Sequence, residues 1–191
     1  MFFLALFAFN EAVLENLINK AKKGDESAFC DLVGDMEPLV YNFALRMMNG
    51  NHQDAEDMAQ EAFLRVYKSL TGYKAEASFK TWVLRICKNV CLDEMRKRSV
   101  RVVAGEEVPE VVADSTDVQG EVVDNERREM LKNAINSLEE RAKMLIVMRD
   151  INGLSYKEIS QITGLEQGTV KSALNRARKK LREIIGEQNI I

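Results

Sequence analysis

Apolar residues recur at helical spacing along most of this chain, and that period constrains the fold more than any other feature. Leu14, Leu17, Ile18 and Ala21 form one stripe. Phe29, Leu32, Val33, Met36, Leu39, Val40, Phe43 and Met47 form a second. A third reads from about Gln53 to Leu70 through Ala59, Ala62, Phe63 and Val66, and a fourth begins near Ser78 and turns Phe79, Trp82, Val83, Ile86, Val90 and Cys91 inward. Side chains three and four apart share one helix face, so each stripe is the buried side of an amphipathic helix. Pro38 lies inside the second stripe and predicts a kink or a restart there. Gly24, Gly50 and Gly72 fall between stripes, where caps and turns are expected.

The period fails from Ser99 to Asn125, a stretch holding Pro109 and two glycines, Gly105 and Gly120. Its valine pairs suggest weak strands, but no partner strand is legible elsewhere, so it reads as a linker. Helical spacing resumes with Met130, Leu131, Ala134, Ile135 and Leu138. Ser137–Glu140 and Ser155–Glu158 both have capping-box spacing, and the last helix is expected from near Gly168 to about Ile185. The predicted fold is all-α: a helical domain over 10–98, an acidic flexible linker over 99–125, and a second helical domain over 126–187.

A formal net charge of −3 in 191 residues argues against a polyanion binder only until its distribution is considered. Lys74–Arg101 contains 8 basic and 3 acidic residues, and Gln167–Glu183 contains 6 basic and 1 acidic. Between them, Val102–Glu126 contains 8 acidic residues and no basic one. Compact basic blocks set local fields that attract nucleic acid whatever the total charge.

Three cysteines, Cys30, Cys87 and Cys91, are too few and too odd for a disulfide framework. The apolar start Met1–Phe9 is far shorter than a membrane span and lacks a basic leader region, so a cytoplasmic protein is expected. Those nine residues fit a buried first turn, a weak membrane contact or a reading frame extended upstream.

Leu154–Arg178 has the spacing of a helix-turn-helix. A short capped helix carries Ile159 and the small Ser160, Gly164 stands where the turn needs positive φ, and Leu165 and Val170 lock the crossing. Val170, Leu174, Ala177 and Leu181 share the buried face of the second helix, leaving Lys171, Ser172, Asn175, Arg176 and Lys179 outward. Asn and Arg can pair with base edges, while Lys and Ser suit phosphates or single acceptors.

In the other basic block, Tyr73, Phe79 and Trp82 lie among Lys74, Lys80, Arg85, Lys88, Asn89 and Arg96. Helical spacing puts Thr81, Arg85, Lys88 and Arg96 on one expected exposed face, with Asn89 at its edge. Aromatic rings beside a basic track suit single strands, whose bases can stack; the plainer reading makes Phe79 and Trp82 core. Asp54–Glu61 gathers four carboxylates at a helix start, with Asp57, Gln60 and Glu61 together. These serve either the local helix dipole or a basic protein partner. Cys87 and Cys91, lacking a matching Cys/His pair, read as apolar packers rather than zinc ligands. His52 has no nucleophilic triad around it, and no glycine-rich phosphate loop follows a strand. Neither metal, cofactor nor enzymatic activity is expected.

Several motifs now stand in order: Lys23-Gly-Asp25, Ala28-Phe29, Asp54-Ala-Glu-Asp-Met-Ala-Gln-Glu-Ala-Phe63, Ser78-Phe-Lys-Thr-Trp82, Asn89, Asp93, Leu154-Ser-Tyr-Lys-Glu-Ile159 and Gly168-Thr-Val-Lys-Ser172. Over about Asn10 to Gly186 the chain resembles the extracytoplasmic-function sigma factors of bacterial RNA polymerase. The resemblance implies that Asp54, Asp57, Gln60 and Glu61 meet core polymerase. Tyr73, Lys74, Lys80, Thr81, Trp82, Arg85, Lys88, Asn89 and Arg96 would take the single-stranded −10 element, with Asn89 near a flipped base. Thr169, Lys171, Ser172, Asn175, Arg176 and Lys179 would read the duplex −35 element. The acidic linker would thread a basic polymerase channel, and an anti-sigma protein, membrane-bound in many relatives, is an implied partner. Ala173 stands where many relatives carry a basic residue, and the apolar start is also atypical. The rival reading is a stand-alone helix-turn-helix regulator, but no heptad seam for a dimer is visible; a structural adaptor would leave both basic blocks unexplained.

Overall fold

A computed structural model describes residues 11–103 and 122–188. The described residues form eight α-helices in two packed groups. In the first, α1 (Glu11–Ala21) and α2 (Glu26–Met47) are joined at Gly24, whose φ of +91° suits a residue without Cβ. Asp25 caps α2 by accepting from Ala28 N at 3.0 Å. The helix passes Pro38 without interruption. Proline removes only its own N–H bond to the preceding turn, and flanking apolar burial holds the helix together; Asn42 also donates to Pro38 O at 2.7 Å.

Asn51 caps α3 (His52–Ser69), which ends in a 3₁₀ turn, Leu70–Gly72. Ser78 opens α4 (Phe79–Val103): Thr81 N donates to Ser78 Oγ at 3.2 Å. Val40, Phe43, Ala44, Ala55, Ala62, Leu84, Cys87 and Cys91 form the interior. The two cysteines are buried packers, as expected, whereas Cys30 is exposed.

Two helices reach into the stretch read as linker. α4 continues to Val103 and α5 (Val122–Asn136) starts before 126. Most of the acidic stretch, and the whole apolar start, lie outside the described residues.

In the second group, α6 (Glu140–Ile146) continues into a π turn, Val147–Ile151, followed by α7 (Tyr156–Thr163) and α8 (Gln167–Gln188). The expected box at Ser137 is absent: Glu139 is the cap, without a side-chain bond, and Ser137 Oγ donates back to Ala134 O at 2.9 Å. Ser137 is thus used in the turn that ends α5. The second box is present. Ser155 Oγ accepts from Glu158 N, and Ser155 N donates to Glu158 Oε2 at 2.7 Å. The two groups touch, α7 lying on α4 while α6 and the π turn meet α2.

Candidate nucleic-acid and polymerase interfaces

The helix-turn-helix has the expected geometry. Gly164 has φ +76° and donates its N–H to Ser160 O at 2.8 Å, ending α7. Ser160 Oγ reaches across the turn to Leu165 O at 2.6 Å. Ile159, Ile162, Val170, Leu174 and Ala177 are buried between the helices. On α8, Thr169, Lys171, Ser172, Asn175, Arg176 and Lys179 are exposed, while Ala173 is half-buried. Arg178 turns away from this face and grips Asp150 at 2.5 and 3.0 Å. Arg149 donates to Leu154 O and lies 4.8 Å from the Tyr156 ring centre. The helix is therefore braced from behind.

On α4, Arg85, Asn89 and Arg96 are exposed and Lys88 is half-buried. Arg85 and Asn89 are one turn apart on the same face. Burial lowers the Lys88 pKa, and Arg85 and Arg96 push it the same way. Thr81 departs from the expected exposed face. It is 2% exposed, with its hydroxyl 2.8 Å from Ser78 Oγ, because it belongs to the capping turn.

The aromatics pack mainly on one another. Tyr73 lies 5.1 Å from Trp82 and 5.5 Å from Phe79, and Trp82 is only 9% exposed. Free stacking platforms for bases they are not; Tyr73 and Trp82 form one wall of a cleft also lined by Lys74, Glu76, Arg85 and Gln161.

The loop at this cleft is held from two sides. Tyr73 OH donates to Ala77 O at 2.8 Å, spanning Ala75, which has a left-handed φ of +57°. Lys22, at the end of α1, donates to Tyr73 O at 2.5 Å and lies 5.4 Å from the ring centre. The sequence gives no sign of this lysine's role, since its partner is 51 positions away.

The acidic patch divides. Asp57 and Gln60 are exposed, but Glu61 accepts from Arg65 at 2.7 Å and Asp54 is held by Arg98. Arg65 also reaches Asp93 at 3.4 Å, so α3 and α4 are joined by two ionic links. Beside Gln60 runs an apolar groove between α2 and α3, lined by Phe29, Cys30, Val33, Phe63, Leu64 and Tyr67. Leu64 is 53% exposed there.

A helical domain with an exposed acidic and apolar face, tied to a helix-turn-helix, has the architecture of a promoter-recognition factor. Residues 32–101 match the family model for sigma-70 region 2, and residues 128–181 match that for sigma-70 region 4. The chain is 34% identical over 182 residues to the ECF RNA polymerase sigma factor SigW of Bacillus subtilis, covering 91% of this chain and 97% of that one. It is 29% identical to the ECF RNA polymerase sigma-E factor of Escherichia coli, covering 86% and 90%. Among solved structures it is similar to CnrH in complex with the cytosolic domain of CnrY, with a TM-score of 0.67, 22% identity and 92% and 98% of the two chains covered. It is also similar to RpoE of Bartonella quintana in complex with the anti-sigma factor NepR, with a TM-score of 0.64, 23% identity and coverage of 82% and 97%. This chain belongs to the extracytoplasmic-function sigma factors. It is a transcription initiation factor working with core RNA polymerase on promoter DNA, not an enzyme. Among the described residues, no helix is long and apolar enough to cross a membrane.

Proposed function

We propose that this sigma factor divides promoter recognition between two faces and docks polymerase through a third. Thr169, Lys171, Ser172, Asn175, Arg176 and Lys179 read the −35 duplex, with Asn175 and Arg176 taking base edges and Lys179 a phosphate. The cleft beside Tyr73 and Lys74, continued along Lys80, Arg85, Lys88, Asn89 and Arg96, takes the melted −10 strand. Trp82 contributes a wall and Thr81 the cap that fixes the helix start. Extruding a base into that cleft costs a few kcal/mol of unstacking, which contacts to base and backbone must offset. Asp57 and Gln60, with Glu61 and the neighbouring groove, meet core polymerase, while Asp54 supports them from behind.

The acidic stretch over 99–125 connects the two domains within the polymerase. The site of action is the cytoplasm, and the activity is held in check by an anti-sigma protein.

The observation that carries this reading is the exposed row from Lys171 to Lys179 on a braced helix, in one chain with a second exposed basic helix. The test is run-off transcription by purified core polymerase with this chain on a promoter library. Enrichment of paired −35 and −10 sequences is expected. Enrichment at −35 alone, unaltered by Arg85→Ala and Asn89→Ala, would remove the −10 role from α4.

A further inference from the structure

Arg149 and Asp150 are consecutive residues of the π turn that follows α6, and each holds one helix of the helix-turn-helix. Arg149 donates to Leu154 O at 2.7 Å and lies 4.8 Å from the Tyr156 ring centre, fixing the entry to α7. Asp150 takes Arg178 of α8 in a fork, Oδ1 accepting from Nη2 at 2.5 Å and Oδ2 from Nε at 3.0 Å. The bond to Asp150 raises the Arg178 pKa against the effect of burial, and a bond to the Tyr156 side chain adds to the rise. Tyr156 is therefore shared between Arg149 and Arg178. Four side chains close a ring through the π turn, the first turn of α7 and the middle of α8.

Stability does not account for this ring. The Asp150 and Arg178 side chains are 36% and 34% exposed, and ion pairs so open to water contribute little to folding. Val170, Leu174 and Ala177 are buried and already hold α8 against its neighbours. Apolar burial is non-directional, however, and tolerates small rolls of a helix about its own axis. A two-bond fork between planar groups has one geometry, so it fixes that roll. Arg178 lies one turn on from Asn175 and two residues from Arg176, where any roll displaces both tips.

Base edges and phosphates differ in what they demand of such a helix. Paired bonds to a base edge need the side chain closely placed, whereas phosphate contacts carry no sequence information. A roll would therefore cost selectivity before it cost affinity.

We propose that Asp150 and Arg178, steadied by Tyr156 and Arg149, are positioning residues for −35 specificity: they set the roll of α8 that brings Asn175 and Arg176 to base edges, and touch no base themselves. This rests on the assignment of α8 to the −35 duplex.

The test is run-off transcription by core polymerase with full-length variants, on barcoded templates whose −35 region is randomised. Asp150→Ala should lower enrichment of the preferred sequence over its single-base variants about fivefold, the low end of one base-edge pairing. Total yield across the pool should change by less than about twofold, because the phosphate contacts are kept. Arg178→Lys keeps the charge but not the fork, and should lose discrimination as Asp150→Ala does. Asp150→Glu keeps a two-oxygen acceptor and should retain most of the parent's discrimination. Asp150→Ala combined with Arg178→Lys should be no worse than either alone, as for two members of one pair.

Parental discrimination in folded Asp150→Ala would overturn the positioning role. If circular dichroism shows that variant unfolded, parental discrimination in Arg178→Lys overturns it. Losses that multiply in the double variant would mean that the two residues act separately, which overturns it as well. Arg176→Ala on the same templates tests the −35 assignment itself. Selectivity relaxed by Arg176→Ala but not by Asp150→Ala faults the positioning alone, whereas selectivity unmoved by Arg176→Ala faults the reading face.

Discussion

Arg98 grips Asp54 with two parallel bonds, Nη1 to Oδ2 and Nη2 to Oδ1, both at 2.6 Å. The pair joins the first turn of α3 to the last third of α4, and Glu94 steadies the guanidinium at 3.0 Å. These carboxylates raise the Arg98 pKa, the Asp54 hydrogen bond acting against the effect of burial. Asp54 is thereby committed within the domain.

Arg98→Ala should lower the stability of the first domain by about 1–2 kcal/mol, the range of a charge-assisted pair after allowance for partial exposure. Urea unfolding followed by Trp82 fluorescence measures this. Trp82 is the only tryptophan and lies in that domain, so its signal is not mixed with the second. A midpoint equal to the parent's would mean that the bidentate pair contributes nothing to stability.

Reversal of the outward acids should act on binding instead. Asp57→Arg with Glu61→Arg presents two cations where a basic partner surface is proposed, and like charges brought together cost several kcal/mol. Capture of core polymerase should fall at least a hundredfold, and run-off transcription with it. Loss of the exposed Glu61–Arg65 pair should change stability by less than about 1 kcal/mol. A folded double variant that binds core normally would move docking off this face.

Lys22 is a positioning residue for the loop at the α4 cleft. Lys22→Met retains much of the side chain's apolar length but removes the bond to Tyr73 O and the charge beside the ring. Discrimination among −10 sequences should drop about fivefold, the equivalent of about 1 kcal/mol for one hydrogen bond. Core binding should not change. Competitive run-off on templates differing only within −10 gives the ratio, and undiminished discrimination would show that the loop holds its shape without this anchor.

On α8, Arg176→Ala or Asn175→Ala should cost about 1–3 kcal/mol and relax selectivity at particular −35 positions. Lys179, whose Nζ is 3.9 Å from Glu183, should behave as a phosphate contact. Lys179→Ala should weaken every promoter alike and shallow the log–log salt slope by about one. Salt titrations over a −35 library separate the two. The faces are misassigned if Lys179→Ala changes base preference and Arg176→Ala does not.

The parts legible in sequence were those set by neighbours a few residues apart. Gly164, Ser155–Glu158 and the Val170–Leu174–Ala177 stripe all encode their geometry within one or two helical turns, and each stands where its spacing placed it. At Pro38 the helix does not restart, because apolar burial on both sides carries it through, and at Ser137 a competing turn overrules the local preference. Thr81 was misread for a different reason. Its helical position was right, but a capping hydroxyl turns back into its own helix start. Arg98 and Lys22 were illegible as fixed groups. A basic residue looks the same in sequence whether it faces solvent or a carbonyl from a distant element, and only the tertiary arrangement decides between them.

The thiols of this protein differ sharply in access. Cys87 and Cys91 are enclosed, with the Cys87 thiol pushed well up by a hydrogen bond with the Cys91 thiol and by burial, while Cys30 is open at the lip of the α2–α3 groove. Because the thiolate is the reacting species, a maleimide dye offered to the native fold will attach at Cys30 and spare the other two. The natural chain therefore comes with a single addressable handle beside the surface proposed to meet polymerase. A fluorophore placed there can watch holoenzyme assembly without any substitution in the protein.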